Sequence, residues 1–143
     1  MRIIPVLIFF LLMMRCTVEP EPLVYGIDEC HTCKMTLMDK KFGAEIVTTK
    51  GKVYKFDDIN CMVNFHNSES EQDENFAYRL VIDFANPETF IDATNSYYVM
   101  SDSIHTPMAS GIAAFDSEKD FNKAKKDWNG ILMSWGEVVT QFK

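Results

Sequence analysis

The sequence predicts an α+β domain built from two similar β-β-α-β units. Three observations carry this reading. Two β-rich runs joined by Lys50-Gly51 lead into an amphipathic helix over 58–66. Two later β-rich runs lead into a second helix and a last strand. Each helix directly follows a Phe-Asp pair, Phe56-Asp57 in the first half and Phe115-Asp116 in the second.

At 143 residues and 47% hydrophobic content, the chain has enough apolar material for one domain with a core and little more. The formal charge of −7 and the lack of any basic stripe argue against a nucleic-acid partner. Residues 1–15 read as an export signal: Arg2, an apolar run over 3–14 broken only by Pro5, then Arg15. That run is too short for a stable span, which takes about 20 residues. Cys16 directly after it suggests a lipoprotein whose acylated cysteine becomes the N-terminus, although Arg15 stands where a small residue is usual. Residues 16–24, with Pro20 and Pro22 between Glu19 and Glu21, have the composition of an extended tether. Residues 25–143 form the folded domain.

Within the domain, 42–49 and 52–56 read as a hairpin. Asp57 is placed to cap the helix over 58–66, whose Ile59, Met62, Val63 and His66 share one face. Residues 67–75 are polar and without hydrophobic period, and predict a solvated loop. Strands are expected over 78–84 and 96–100, with a turn at Pro87 between them. A loop over 106–111 leads to a short strand over 112–115. Asp116 or Ser117 then caps a helix carrying Phe121, Ala124 and Trp128 on one face. A final strand over 130–135 and a short terminal turn or helix complete the chain.

The chemistry concentrates in residues 30–38, which hold Cys30, His31, Cys33, Met35 and Met38. Spacing alone leaves a disulfide, a shared metal or disulfide exchange open to Cys30 and Cys33. Met35 narrows the choice, because a thioether is a poor zinc ligand and takes no part in exchange, whereas reduced copper favours thiolate and thioether donors. Cys61, on the first helix, reads equally well as a packed thiol or as a residue of the metal site, and His66 reads as structural or as a C-terminal charge rather than as a ligand.

Assembled in order, the motifs resemble the NosL family, accessory proteins of nitrous oxide reductase. The resemblance rests on Cys30-x-x-Cys33-x-Met35, the hairpin ending in Phe56-Asp57-Asp58 with Cys61-Met62 on the helix, and the strand with Ile91-Asp92-Ala93 before Tyr97-Tyr98-Val99. It continues through Thr106-Pro107-Met108 before Gly111 and Ala114-Phe115. Lys34 stands where the family commonly has Gly. The resemblance implies a pair of β-β-α-β units similar to part of the organomercurial lyase fold. It implies a Cu(I) chaperone rather than an enzyme, lipid-anchored through Cys16 on the periplasmic side of a bacterial membrane. Copper would pass to nitrous oxide reductase or its membrane assembly complex, from a monomer or weak dimer. Cys33, Met35 and Met108 are the first ligands it implies, followed by Cys30 and Met62, then Met38 and His31.

Other chemistries give different expectations. A thiol-disulfide oxidoreductase would use Cys30 and Cys33, but such a motif normally opens a helix, and the residues after Cys33 lean towards strand. A structural zinc site would take Cys30, Cys33, Cys61 and His66. An inert disulfide between Cys30 and Cys33 would leave only a binding domain.

Overall fold

A computed structural model describes residues 17–68 and 75–142. The expected export signal, Cys16 and most of the 67–75 loop lie outside the described residues. The remainder folds as the two units the pattern predicts. In the first, β1 (Ala44–Thr48) and β2 (Val53–Phe56) form the hairpin, α1 (Ile59–Ser68) crosses over, and β3 (Phe76–Ile82) returns on the far side of β1. With β4 (Phe90–Asp92) added at the edge, the antiparallel sheet has the order β2-β1-β3-β4. The second unit repeats this wiring: β5 (Tyr97–Met100), β6 (Ile112–Phe115), α2 (Glu118–Trp128) and β7 (Ile131–Met133) give a sheet of order β6-β5-β7. A last helix, α3 (Trp135–Gln141), packs against α1, β5 and β7.

Local chemistry sets several of these boundaries. Ser117 rather than Asp116 caps α2, accepting the N–H of Asp120, and Asn129 ends it in the left-handed region at φ 46°. Ser134 and Glu137 form a reciprocal capping box at the start of α3. The start of α1 departs from expectation. The helix begins at Ile59, and the Asp57 carboxylate receives the Cys33 thiol instead of capping the helix.

In the second sheet β6 is buried on both faces, and the alternation along β5 and β6 shows how the units join. Tyr98, Ile112 and Ala114 point into a core shared with Ile46, Phe56, Met62, Val63 and Val81 of the first unit. Val99, Ala113 and Phe115 point the other way, onto Phe121 and Ala124 of α2. Large side chains such as Phe56, Met62 and Tyr98 are wholly buried, each worth roughly 1.5–3 kcal/mol in the area removed from water. The Tyr98 hydroxyl donates to the Ala93 carbonyl at 2.6 Å, so its burial leaves no orphan.

β1 is also buried on both faces, and one of the groups enclosed is a carboxylate. Glu45 is fully buried. The cover includes the segment expected as a free tether. The Glu21 N–H donates to Glu45 Oε1 at 3.0 Å, Lys55 donates to the Pro22 carbonyl at 3.1 Å, and Leu23 packs onto the main core. Gly43, at φ 130°, leaves room for Leu23, whose Cδ1 would lie 2.7 Å from any Cβ there. The segment is extended as expected, but it is strapped down rather than loose.

Burial pushes the Glu45 pKa up from 4.5 to about 7, with the Glu21 N–H and the nearby Lys55 charge pulling the other way. The folded chain therefore holds this proton more tightly than the unfolded chain. The resulting stability is complete below about pH 4.5 and is lost as pH rises through about 7. Glu45→Gln, neutral at every pH, is expected to match the parent near pH 5 and exceed it at pH 8 by roughly 1–3 kcal/mol in urea melts. Equal differences at the two pH values would contradict this account.

Candidate metal centre

Residues 24–38 fold into a small irregular hairpin arm. The Leu37 N–H donates to Asp28, the Gly26 N–H to Leu37 and the Cys30 N–H to Met35, with an isolated bridge between Glu29 and Thr36. Cys30 to Lys34 form the turn, closed by the Lys34 N–H on the Cys30 carbonyl at 3.0 Å. Two bonds press this turn against the first unit. The His31 N–H reaches the Lys55 carbonyl at 2.8 Å, and the Thr32 hydroxyl reaches the Cys61 carbonyl at 2.9 Å.

The turn therefore sits over the junction between β2 and α1. Cys30, Cys33, Asp57 and Cys61 each contribute a donor atom, and all four atoms lie within 4.8 Å of one another. Cys30, Cys61 and Asp57 are buried, whereas Cys33 is half-buried and forms the outer edge. All three cysteines are free thiols. Their electrostatics are shared. The Cys61 thiol donates to Cys30 and lowers the Cys30 pKa to about 6, while burial pushes Cys33 up to about 11. Cys61 is raised because its proton is the one given to Cys30. Three thiols and a carboxylate converging on one point form a donor set suited to a soft cation, whose entry expels protons.

The other residues singled out from sequence divide clearly by position. Met35 is 52% exposed beside the turn, and Met38 is exposed farther along the arm. Met108 is half-buried, and its N–H donates to Asp58, the neighbour of Asp57, so a loop of the second unit reaches the same strand-to-helix junction. Met62 is wholly buried. The His31 ring stacks edge-on to Tyr54 at 4.7 Å and Phe65 at 5.3 Å. His66 lies among Phe76 and Trp135, outside the four-donor cluster, so the zinc set expected from sequence loses its histidine and gains Asp57. Sequence reading assigned Asp57 to a helix cap. The available signal was its place at a strand-to-helix junction four residues before a cysteine.

A NosL family model matches residues 24–142. The fold is similar to the crystal structure of the copper chaperone NosL from Shewanella denitrificans, with a TM-score of 0.70 at 23% identity. The match covers 85% of this chain and 96% of that one. No curated protein sequence matches the chain. The chain belongs to the NosL family.

Lys34 makes the turn at a steric cost. Its φ of 64° lies in the left-handed region that favours glycine, and its ammonium group bonds the His31 carbonyl. An L-residue there is disfavoured by roughly 1–2 kcal/mol, and the exposed ammonium contact returns little of it. Lys34→Gly is expected to raise the denaturation midpoint, by roughly 0.5–1 kcal/mol in free energy after the added entropy of the unfolded chain is included. A lower midpoint would show that the lysine contact outweighs the strain.

Proposed function

We propose that this NosL-family protein is an envelope carrier of reduced copper, not an enzyme, and that it serves the maturation of nitrous oxide reductase. The observation that carries this reading is the arrangement around Cys33. A half-exposed thiol stands above two buried thiols and a buried carboxylate, with an exposed thioether beside it in the chain and a second thioether on a loop of the other unit that is bonded to the same strand-to-helix junction. Thiolate and thioether donors together favour Cu(I) over harder divalent ions. Cys33, Met35 and Met108 are the proposed ligands of the transferable ion, with Cys30 as the thiolate behind them. Wholly buried, Met62 takes a packing role in this scheme.

Transfer follows from the openness of such a site. A low-coordinate ion edged by Cys33 and Met35 can accept a partner's sulfur or imidazole before its own ligands leave, so copper never passes through water. Cys16, if acylated, would hold the carrier at the membrane surface where an assembly complex would receive its cargo.

The arrangement argues against thiol-disulfide exchange. The activated thiol, Cys30, is wholly buried, and the accessible thiol, Cys33, has its pKa raised, the reverse of what an attacking cysteine requires. A second reading has one specific support: three thiols and a carboxylate within 4.8 Å are also a donor set for tetrahedral zinc.

Anaerobic titration of the reduced domain with Cu(I) against a competing chelator separates these readings. The expected result is tight one-to-one binding that is lost in Cys33→Ser combined with Met35→Leu, with melting of the metal-free protein unchanged. Undiminished binding by the double variant would place the copper site elsewhere. Melting that depends on zinc, and drops on chelation with no copper present, would favour the zinc reading.

A further inference from the structure

The two units share their wiring but differ in one connection. β1 and β2 are joined across residues 49–52, whereas β5 and β6 are joined across residues 101–111. The longer connection holds Met108, and it leaves its own unit to meet the start of α1. There Asp58, fully buried, devotes both carboxylate oxygens to it. Oδ2 accepts the Met108 N–H at 2.9 Å, and Oδ1 accepts the Ser110 hydroxyl at 2.6 Å. Two residues along, the Asn60 side-chain amide donates to the Met108 carbonyl at 3.2 Å.

Both backbone polar groups of Met108 are thus bound by side chains about fifty residues away in sequence. The flanking chain is equally constrained. Pro107 fixes its own φ, Ala109 is left-handed at φ 55°, and the Thr106 hydroxyl accepts the N–H groups of Ser110 and Gly111. Gly111 is needed where it stands, because a Cβ there would lie 2.9 Å from the Ser101 carbonyl oxygen. These bonds fix the backbone of Met108, while its side chain is half-buried against the main core. A wholly buried carboxylate is costly unless every bond it makes is good, and an apolar residue would pack at this boundary more simply. What Asp58 secures in return is the position of one methionine.

We propose that Asp58 and Asn60 are positioning residues for Met108. They hold its peptide groups in place so that the thioether meets a Cu(I) ion held by Cys33 without a loop having to be ordered first. This rests on Met108 being a ligand in the function proposed above.

A double-mutant cycle on the mature chain, read by competitive Cu(I) titration, tests the proposal. Asn60→Ala removes one hydrogen bond to Met108 and is expected to weaken Cu(I) binding about fivefold. In a Met108→Leu background the same change should have no further effect, because there is no thioether left to position. Asp58→Asn, which keeps an acceptor for the Met108 N–H, is the conservative control at an intact fold and should bind Cu(I) as its own background does. A residue with a merely structural role would weaken both backgrounds alike, and that result, or no effect of Asn60→Ala in the parent, overturns the proposal. If Met108→Leu alone binds Cu(I) as the parent does, the ligand assignment fails and the clamp fails with it. If Met108→Leu weakens binding and Asn60→Ala does not, only the clamp is lost.

Discussion

Two adjacent buried carboxylates at the end of β2 organise this protein. Asp57 faces the Cys33 thiol at 3.4 Å and Asp58 faces the backbone of Met108 at 2.9 Å, so one strand-to-helix junction gathers the cysteine turn from one side and the methionine loop from the other. Burying charge in this way is unfavourable unless it is satisfied by well-placed donors, and here those donors belong to the segments that must converge. The hairpin arm, the long β5–β6 connection and the first turn of α1 all take their positions from this junction.

The differences between the two units show why such a junction arises once and not twice. The same Phe-Asp step ends β6, but Asp116 is exposed and followed by Ser117, an ordinary helix cap. With no thiol turn above it and no long loop beside it, the second unit keeps only the scaffold. Its contribution to the site is made at a distance, through the loop that carries Met108. In the proposed site the arm and the first unit supply the thiols and the second unit a thioether, over a core that Phe56 and Tyr98 of the two units share.

Much of this was legible in the residues because strand alternation, turn signals and helical period are local. The hairpin at Lys50-Gly51, the strand over Ile112–Phe115, the Ser117 cap and the repeated β-β-α-β order follow from such signals. What was not legible depends on contacts between distant segments. Asp57 has the appearance of a helix cap until the 30–34 turn is placed over it, and Asp58 shows no sign of its bond to a loop fifty residues on. Residues 17–24 have the composition of a free tether, and only the buried Glu45 beneath them shows why they are held. Cys61 reads equally well as a packed thiol or a ligand, because nothing in its own helix indicates that Cys30 lies against it.

The central claim is that copper is held by thiolate and thioether ligands drawn from both units. Copper-edge X-ray absorption on Cu(I)-loaded protein in which the methionines are replaced by selenomethionine tests it most directly. The account predicts selenium beside sulfur in the copper shell, with the selenium signal reduced when Met108 is replaced by Leu. A shell of sulfur with no selenium would place copper among Cys30, Cys33 and Cys61 alone and contradict the claim.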